Sequence, residues 1–352
     1  MIAAHPSAAA RQPGLVSTII PVYNRPAMIV EAVQSVLDQT YRPIEVVLVD
    51  DGSTDDTPQV LADLAAAHPE VVVLHQENAG PGAARSRGLE VARGEFVQYL
   101  DSDDLLLPEK FAVQVAALRE RPEADICYGV SLRNRKGGWK PWARTAAEIS
   151  AIFPDFLPRR QWDTTTPLWR RSIYDRMAAD PRLGDSPPWS GFRLMEDWEH
   201  DIRVGLLGAK IVRVRDDVTV VRDEAEERAS GVLSGLTPEK LRDYAGTHVA
   251  IWAIMKRFEA TDASYVQPLS RTMFWLARSC GQAGLDAEAD AALAVADEMA
   301  GYGDPDWSDR LSRRVVRSLR RVIGWPQTVA LSERARQIGQ SLPFGNRAAA
   351  SE

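Results

Sequence analysis

Aspartates recur where apolar runs stop. The run Phe96–Leu100 ends in "DSDD", which supplies Asp101, Asp103 and Asp104; "IEVVLVD" ends in Asp50 and is followed by Asp51, Gly52 and Ser53. Like charges this close repel and are costly to desolvate, so such tips need a positive partner or open solvent. A hard divalent cation is one such partner. Mn2+ or Mg2+ takes oxygen ligands, commonly one or two carboxylates plus substrate phosphates. The stretch "NAGPGAARSRGL" offers the anion side. Gly80 and Gly82 open a helix whose free amides can meet an anion, and Arg85, one turn in, can add a charge-assisted contact. Cation and anion sites together imply a phosphorylated substrate. There is no GxxxxGK[ST] loop and no GxGxxG fingerprint, which disfavours a P-loop NTPase or a standard dinucleotide enzyme.

These residues need a scaffold that brings them together, and the alternation of patterns predicts one. Strands are expected at 16–23, 44–50, 71–76, 95–100 and 124–130, with helices between them. The first helix, 26–39, places Ile29, Val30, Val33, Val36 and Leu37 on one face behind Pro26. Strands alternating with helices predict an α/β domain with a mostly parallel sheet, Rossmann-like, flanked by helices. Right-handed crossovers then set the strand C-terminal ends along one edge, where open α/β sheets bind ligands. Tyr23 and Asn24, Asp50 to Ser53, Asn78 to Gly82, and Asp101 to Asp104 all fall on that edge. Any one of these turns is ordinary turn chemistry; four on one edge form a site.

Composition narrows the class. The chain has 352 residues, 45% hydrophobic and 26% charged, enough for two domains with a normal core. A net charge of −7 argues against a general nucleic-acid binder. Cys127 and Cys280 are far apart and have no metal-ligand spacing, so neither a disulfide framework nor a zinc site is expected. The N-terminus lacks the pattern of a signal peptide, and no run reaches the ~18 apolar residues of a membrane span. The expected location is cytoplasmic.

The motifs "VSTIIPVYNRP", "VDDGSTDDT", "NAGPGAARSRGL", "YLDSDDLLLPEK" and "MEDWEHDIRV" occur in this order. Together, over residues 15–220, they resemble the family 2 glycosyltransferases, inverting enzymes with the GT-A fold. The resemblance implies a nucleotide-diphosphate sugar donor, by family default UDP-linked, and Mn2+ or Mg2+. It implies that Pro21 and Tyr23 border the nucleobase, that Asp51 binds its polar edge and that Arg85 touches the nucleotide. Asp101 would face the ribose or the metal, Asp103 would hold the metal on the diphosphate, and Asp197 would be the catalytic base. The acceptor side would lie in the segment holding Trp139, Trp142, Trp162, Trp169, Trp189 and Trp198, with Trp198, Trp169 and Glu196 as acceptor contacts. The acceptor would be a saccharide or a lipid-linked one, in polysaccharide or glycolipid biosynthesis. Family members often carry a late His that helps hold the metal; here Asp223 or Glu224 stands in that region. Two other readings compete. One is a catalytically inactive sugar-nucleotide-binding module. The other is a phosphohydrolase of the haloacid dehalogenase type, which would want its DxD on the first strand.

The expected organisation is a tail over 1–14, a nucleotide-sugar half over 15–130, an acceptor half over 131–234, helices over 235–340 and a tail over 341–352. The helical part includes a tetratricopeptide-like hairpin joined near Gly284. In its helix at 309–323, Leu311, Val315, Leu319, Val322 and Ile323 face one way and six arginines the other. Such a split predicts either an aliphatic face packed on the preceding helices or a peripheral contact with the inner face of the cell membrane.

Overall fold

The computed structural model describes residues 11–135, 138–222, 237–303 and 307–332. The chain divides into two compact units, Met1–Gly231 and Val232–Glu352. Residues 1–10 of the tail expected at 1–14, the tail expected at 341–352, and Asp223 and Glu224 lie outside the described residues.

The first unit opens with the expected alternation: β1 (Gln12–Val22), α1 (Met28–Leu37), β2 (Ile44–Asp50), α2 (Thr57–Ala67), β3 (Val71–His75), α3 (Pro81–Val91) and β4 (Gly94–Tyr99). β1 starts earlier than expected, because Gln12 pairs with Gly94, so residues 12–14 are sheet rather than tail. There follow β5 (Leu105–Leu106), α4 (Lys110–Glu120), β6 (Ile126–Arg135), β7 (Gly138–Pro141), α5 (Ala143–Ala146), β8 (Leu168–Arg170), α6 (Ser172–Ala179), α7 (Glu196–Leu206) and β9 (Ile211–Val221).

The sheet order is β3-β2-β1-β4-β8-β6-β9-β5, with β7 paired to β6. The first four strands are parallel, as the crossover helices require. The rest departs from the mostly parallel expectation. β8 runs antiparallel to both β4 and β6, and β5 runs antiparallel to β9. The long segment between β7 and β8 holds no crossover helix beyond the four-residue α5, so nothing obliges the next strand to return in parallel. Because β6 pairs with both β8 and β9, the expected division at 130/131 separates no compact units.

The core lies between β1, β2, β4 and the helices α1 and α4. Val16, Ile20, Val46 and Leu48 interleave there with Ile29, Val33, Phe96 and Phe111. β2 is buried along its whole length, as expected of a strand covered on both faces. β1 has neighbours on both sides, β2 and β4, so the strand order reverses there. The crevice beyond its C-terminal end is the place where such sheets take ligands.

The second unit is helical: α8 (Pro238–Arg257), α9 (Ala263–Gln282), α10 (Asp286–Ala300) and α11 (Trp307–Ile323). α9 and α10 form the expected hairpin about Gly284. Glu298 of α10 ties to α8 by accepting from Trp252 Nε1 at 2.9 Å and Lys256 Nζ at 2.8 Å.

Candidate active site

Each turn at the sheet edge is held by its own hydrogen bonds. Beyond β1, Pro21 and Val22 are buried and Tyr23 is 47% exposed. Asn24 takes a left-handed φ of 51° and accepts from Thr54 N at 2.9 Å, which ties the first turn to the second. Asp50 accepts from Ser53 N at 3.0 Å and faces His75 Nδ1 at 3.0 Å. Asp51 is occupied within the chain. Its carboxylate accepts from Gln76 Nε2 at 2.7 Å, Ala79 N at 2.8 Å and Gly80 N at 2.9 Å. It therefore shapes the loop entering α3. Gly52 has to be glycine for this packing, since its φ is 77° and a Cβ would stand 2.8 Å from Asn78 N.

Arg85 is the hinge of the site. Its buried guanidinium donates to Asp101 Oδ1 at 2.7 Å and to Glu196 Oε1 at 2.8 Å. It also stacks over the Trp189 ring, 4.6 Å from the centroid. Its acidic partners stand 16 and 111 residues away in sequence. One side chain thus joins the DSDD turn to the MEDWEH helix. Burial acts to lower its pKa, but the charges of Asp101 and Glu196 outweigh that and raise it. Gly82 allows this approach: a Cβ there would lie 2.1 Å from Ser190 O, so α3 and the 190 loop would have to part.

The DSDD turn divides its labour. Asp104 is buried and accepts from Thr165 Oγ1 at 3.1 Å and from Arg222 N at 3.1 Å. Burial, then the charges of Asp101 and Asp103, push its pKa well above the carboxylate range. Arg222 Nε also donates to the Asp103 backbone oxygen at 2.5 Å, which locks the turn. The sequence did not single out Arg222. The residues fit a hard cation. Asp101 and Asp103 offer two carboxylates, the usual number for Mn2+ or Mg2+ beside substrate phosphates. Their charges act with burial to raise the Asp104 pKa, while Arg85 on Asp101 and Arg222 on the Asp103 backbone bring positive charge to the same turn. Among the described residues no group of three or more His, Cys, Asp or Glu side chains is set to hold a metal ion. Further ligands would thus come from phosphate and solvent.

α7 starts at Glu196, and Met195 before it adopts φ 66°. That left-handed conformation costs a non-glycine residue roughly 1–2 kcal/mol. Strain of this kind clusters at functional sites. Asp197 is the most open carboxylate of the helix's first turn, with 29% of its side chain exposed. It is ion-paired to Arg160 Nη1. Arg160 Nε donates to the fully buried Asp201 Oδ2 at 2.7 Å, and Trp162 Nε1 donates to the same oxygen at 3.0 Å. Burial alone would raise Asp201's pKa; Arg160 and His200 overcome it and hold the carboxyl low. Sequence reasoning missed Arg160. Its only trace is the pair Arg159–Arg160 in a stretch without periodicity.

The acceptor assignments need correction. Trp198 is 2% exposed and donates Nε1–H to Phe156 O at 2.6 Å. Trp169 sits in β8 and is equally buried, 5.0 Å from His200. Both are core residues. An aromatic interior around His200 takes in Trp169 and Trp189, the latter stacked at 4.0 Å, whereas Trp139 of the same segment stays 47% exposed. Glu196 is also withdrawn: it is buried against Arg85 and not open to an acceptor.

Burial, then the charge of Asp197, raise the Glu196 pKa to about 7 against the opposing pull of Arg85. A carboxyl raised above its ordinary value of 4.5 contributes stability in full below pH 4.5 and loses it as pH rises through about 7. Removing the charge should therefore help most at alkaline pH. Glu196→Gln is expected to unfold in urea at a midpoint that improves, relative to the native chain, from pH 5 to pH 8. A difference that stays constant over this range contradicts the placement of Glu196.

Comparison with known proteins bears on this geometry. Residues 17–181 match the model of glycosyl transferase family 2. Chondroitin synthase of Escherichia coli is 44% identical over 172 residues, 45% of this chain and 25% of that protein. Glycosyltransferase GlyG of Streptococcus pneumoniae is 39% identical over 116 residues, 33% of this chain and 38% of that protein. An uncharacterised glycosyltransferase of Rickettsia felis is 42% identical over 142 residues, 40% of this chain and 23% of its own length. The matches thus span well under half of each relative. Among solved structures, residues 1–349 of S. aureus TarS share 20% identity and a TM-score of 0.63, covering 92% of this chain and 91% of that one. The same protein in complex with UDP-GlcNAc gives a TM-score of 0.64 at 21% identity, with the same coverage. At that identity the likeness is one of fold.

Proposed function

We propose that the first unit, which has the GT-A fold and matches the model of glycosyl transferase family 2 over residues 17–181, moves a sugar from a nucleotide-diphosphate sugar to an acceptor hydroxyl, inverting the anomeric carbon. The observation that carries this is the Arg85 bridge, which sets the donor-side turn beside the first turn of α7. A UDP-linked donor is the first choice. It draws support from the UDP-GlcNAc complex of the TarS protein that shares this fold. A saccharide or lipid-linked hydroxyl is the proposed acceptor.

In this reading Pro21 and the exposed Tyr23 border the base. Asp51 acts through the loop it holds, so that residues 76–80 form the other wall. Asp101 and Asp103 would hold Mn2+ or Mg2+ on the diphosphate, and the chemistry such an ion supplies is charge neutralisation on the leaving group. Asp197 takes the proton from the acceptor hydroxyl. Arg160 fixes the orientation of that carboxylate, while a lone pair on each oxygen stays free to accept. No second protein acid is needed, because a neutralised diphosphate leaves unaided, unlike the sugar oxygen in glycosidases. The phosphohydrolase reading fails on placement: the DxD follows the fourth strand of the sheet, not the first.

Asp103→Ala tests the donor assignment. Titration calorimetry with UDP and Mn2+ is expected to show binding to the native chain and none to the variant, with the variant's circular dichroism matching that of the native chain. Equal affinity in the two proteins would remove Asp103 from the donor site.

A further inference from the structure

One edge of the arginine face of α11 is turned inward. Arg313 is buried: it donates to Ala296 O at 2.7 Å and to Ser270 Oγ at 3.1 Å, over the Phe274 ring at 5.0 Å. Arg317 pairs with Asp297 at 2.5 Å and Arg320 with Asp290. Val316 is buried as well. The reason is electrostatic. α10 carries acidic side chains and late carbonyls along the side that α11 meets, and cations are favoured near a helix C-terminus. Of the two alternatives, packing on the preceding helices holds only for the edge of the aliphatic face, where Leu319 and Ile323 are half-buried. Leu311 is 52% exposed, Val315 41% and Val322 81%, with Leu319 half-buried between them. These residues recur at helical spacing and form one stripe. Beside the stripe, Arg310, Arg314 and Arg321 are exposed. Arg310, Leu311, Arg313, Arg314 and Arg317 also line a groove of about 430 Å3 against α10.

We propose that this outer half of α11 is a docking surface for an anionic lipid bilayer. Leu311, Val315 and Val322 would enter the headgroup–acyl boundary, and the flanking arginines would meet lipid phosphates. Charge complementarity selects the occupant. Arg313, Arg317 and Arg320 are taken up by α9 and α10, but Arg310, Arg314 and Arg321 remain exposed beside the stripe, and Asp309 is the one acidic residue of α11. An aliphatic stripe flanked by exposed arginines is the arrangement of a helix lying in a membrane interface. Among the described residues no helix is long and apolar enough to cross a membrane, so the contact is peripheral. The inference rests on the helical unit alone and not on the transfer reading.

Flotation of the full chain with vesicles tests it without measuring turnover. Binding is expected to vesicles of 70% phosphatidylcholine and 30% phosphatidylglycerol (~30% anionic lipid), and not to phosphatidylcholine alone. Arg314→Gln with Arg321→Gln should weaken partitioning about 25-fold, since each basic residue near the surface contributes about 1 kcal/mol, or roughly fivefold. Leu311→Ser with Val315→Ser and Val322→Ser should abolish it, with helicity by circular dichroism unchanged because all three side chains are exposed. The proposal is overturned by absence of flotation, or by variants that float as well as the native chain. It is also overturned if a chain ending at residue 332 no longer floats, which would give the contact to residues 333–352. Sedimentation decides the remaining rival: a serine triple variant that turns a dimer into a monomer while vesicle binding persists would give the stripe to a second copy.

Discussion

Asp197→Asn is expected to lower kcat at least ~10²-fold, the lower end of general-base effects, with UDP affinity in Mn2+ nearly unchanged. The substitution keeps size and hydrogen-bonding reach but removes basicity. Glu196 is the chemical rival, because its pKa near 7 lies closer to a working pH. Access decides between them. One Glu196 oxygen accepts from Arg85 at 2.8 Å within a buried pair, whereas Asp197 keeps 29% of its side chain open. Glu199 is poorer still: it is buried, 3.6 Å from Arg203 Nε. Stopped assays at saturating donor and acceptor should therefore find Asp197→Asn inactive and Glu199→Gln active. Near-normal turnover by Asp197→Asn together with a dead Glu196→Gln would mean that the base lies one residue earlier.

The parallel half of the sheet and its edge were readable because apolar runs of strand length alternate with amphipathic helices. The turn residues between them then collect on one side by topology. The other half of the site was not readable. Arg160 reaches Asp197 from a stretch that has neither helical nor strand periodicity. Its partner Asp201 is one of several charged residues in the first two turns of α7 and has no spacing that sets it apart. The tryptophans misled for a related reason. A large aromatic ring offers the same face to a sugar and to a core, and only burial tells the two apart: Trp162, Trp169, Trp189 and Trp198 are all enclosed. The same limit applied to α11. Its two faces were plain in the sequence, but which one turns inward depends on the acidic side of α10.

Arg85→Met should separate the structural and chemical roles of the bridge. Removing one partner of a buried ion pair typically costs ~3–5 kcal/mol, because the remaining charge is left unpaired. The lower part of that range is expected here. Asp101 keeps a third of its side chain in solvent, and Glu196, already raised to about 7, can take up a proton. The urea midpoint of the first unit should fall accordingly. UDP binding in Mn2+ should fall as well, since Asp101 loses the guanidinium that orients it. Adding Glu196→Gln to Arg85→Met removes the stranded carboxylate. The double variant should recover much of the lost stability but none of the UDP affinity. Neighbouring residues that share a partner are expected to couple in this non-additive way. If stability losses simply add across the two substitutions, the bridge contributes no shared energy. If UDP affinity returns together with stability, Arg85 acts on the donor site only by keeping the domain folded, and its place in the donor site falls.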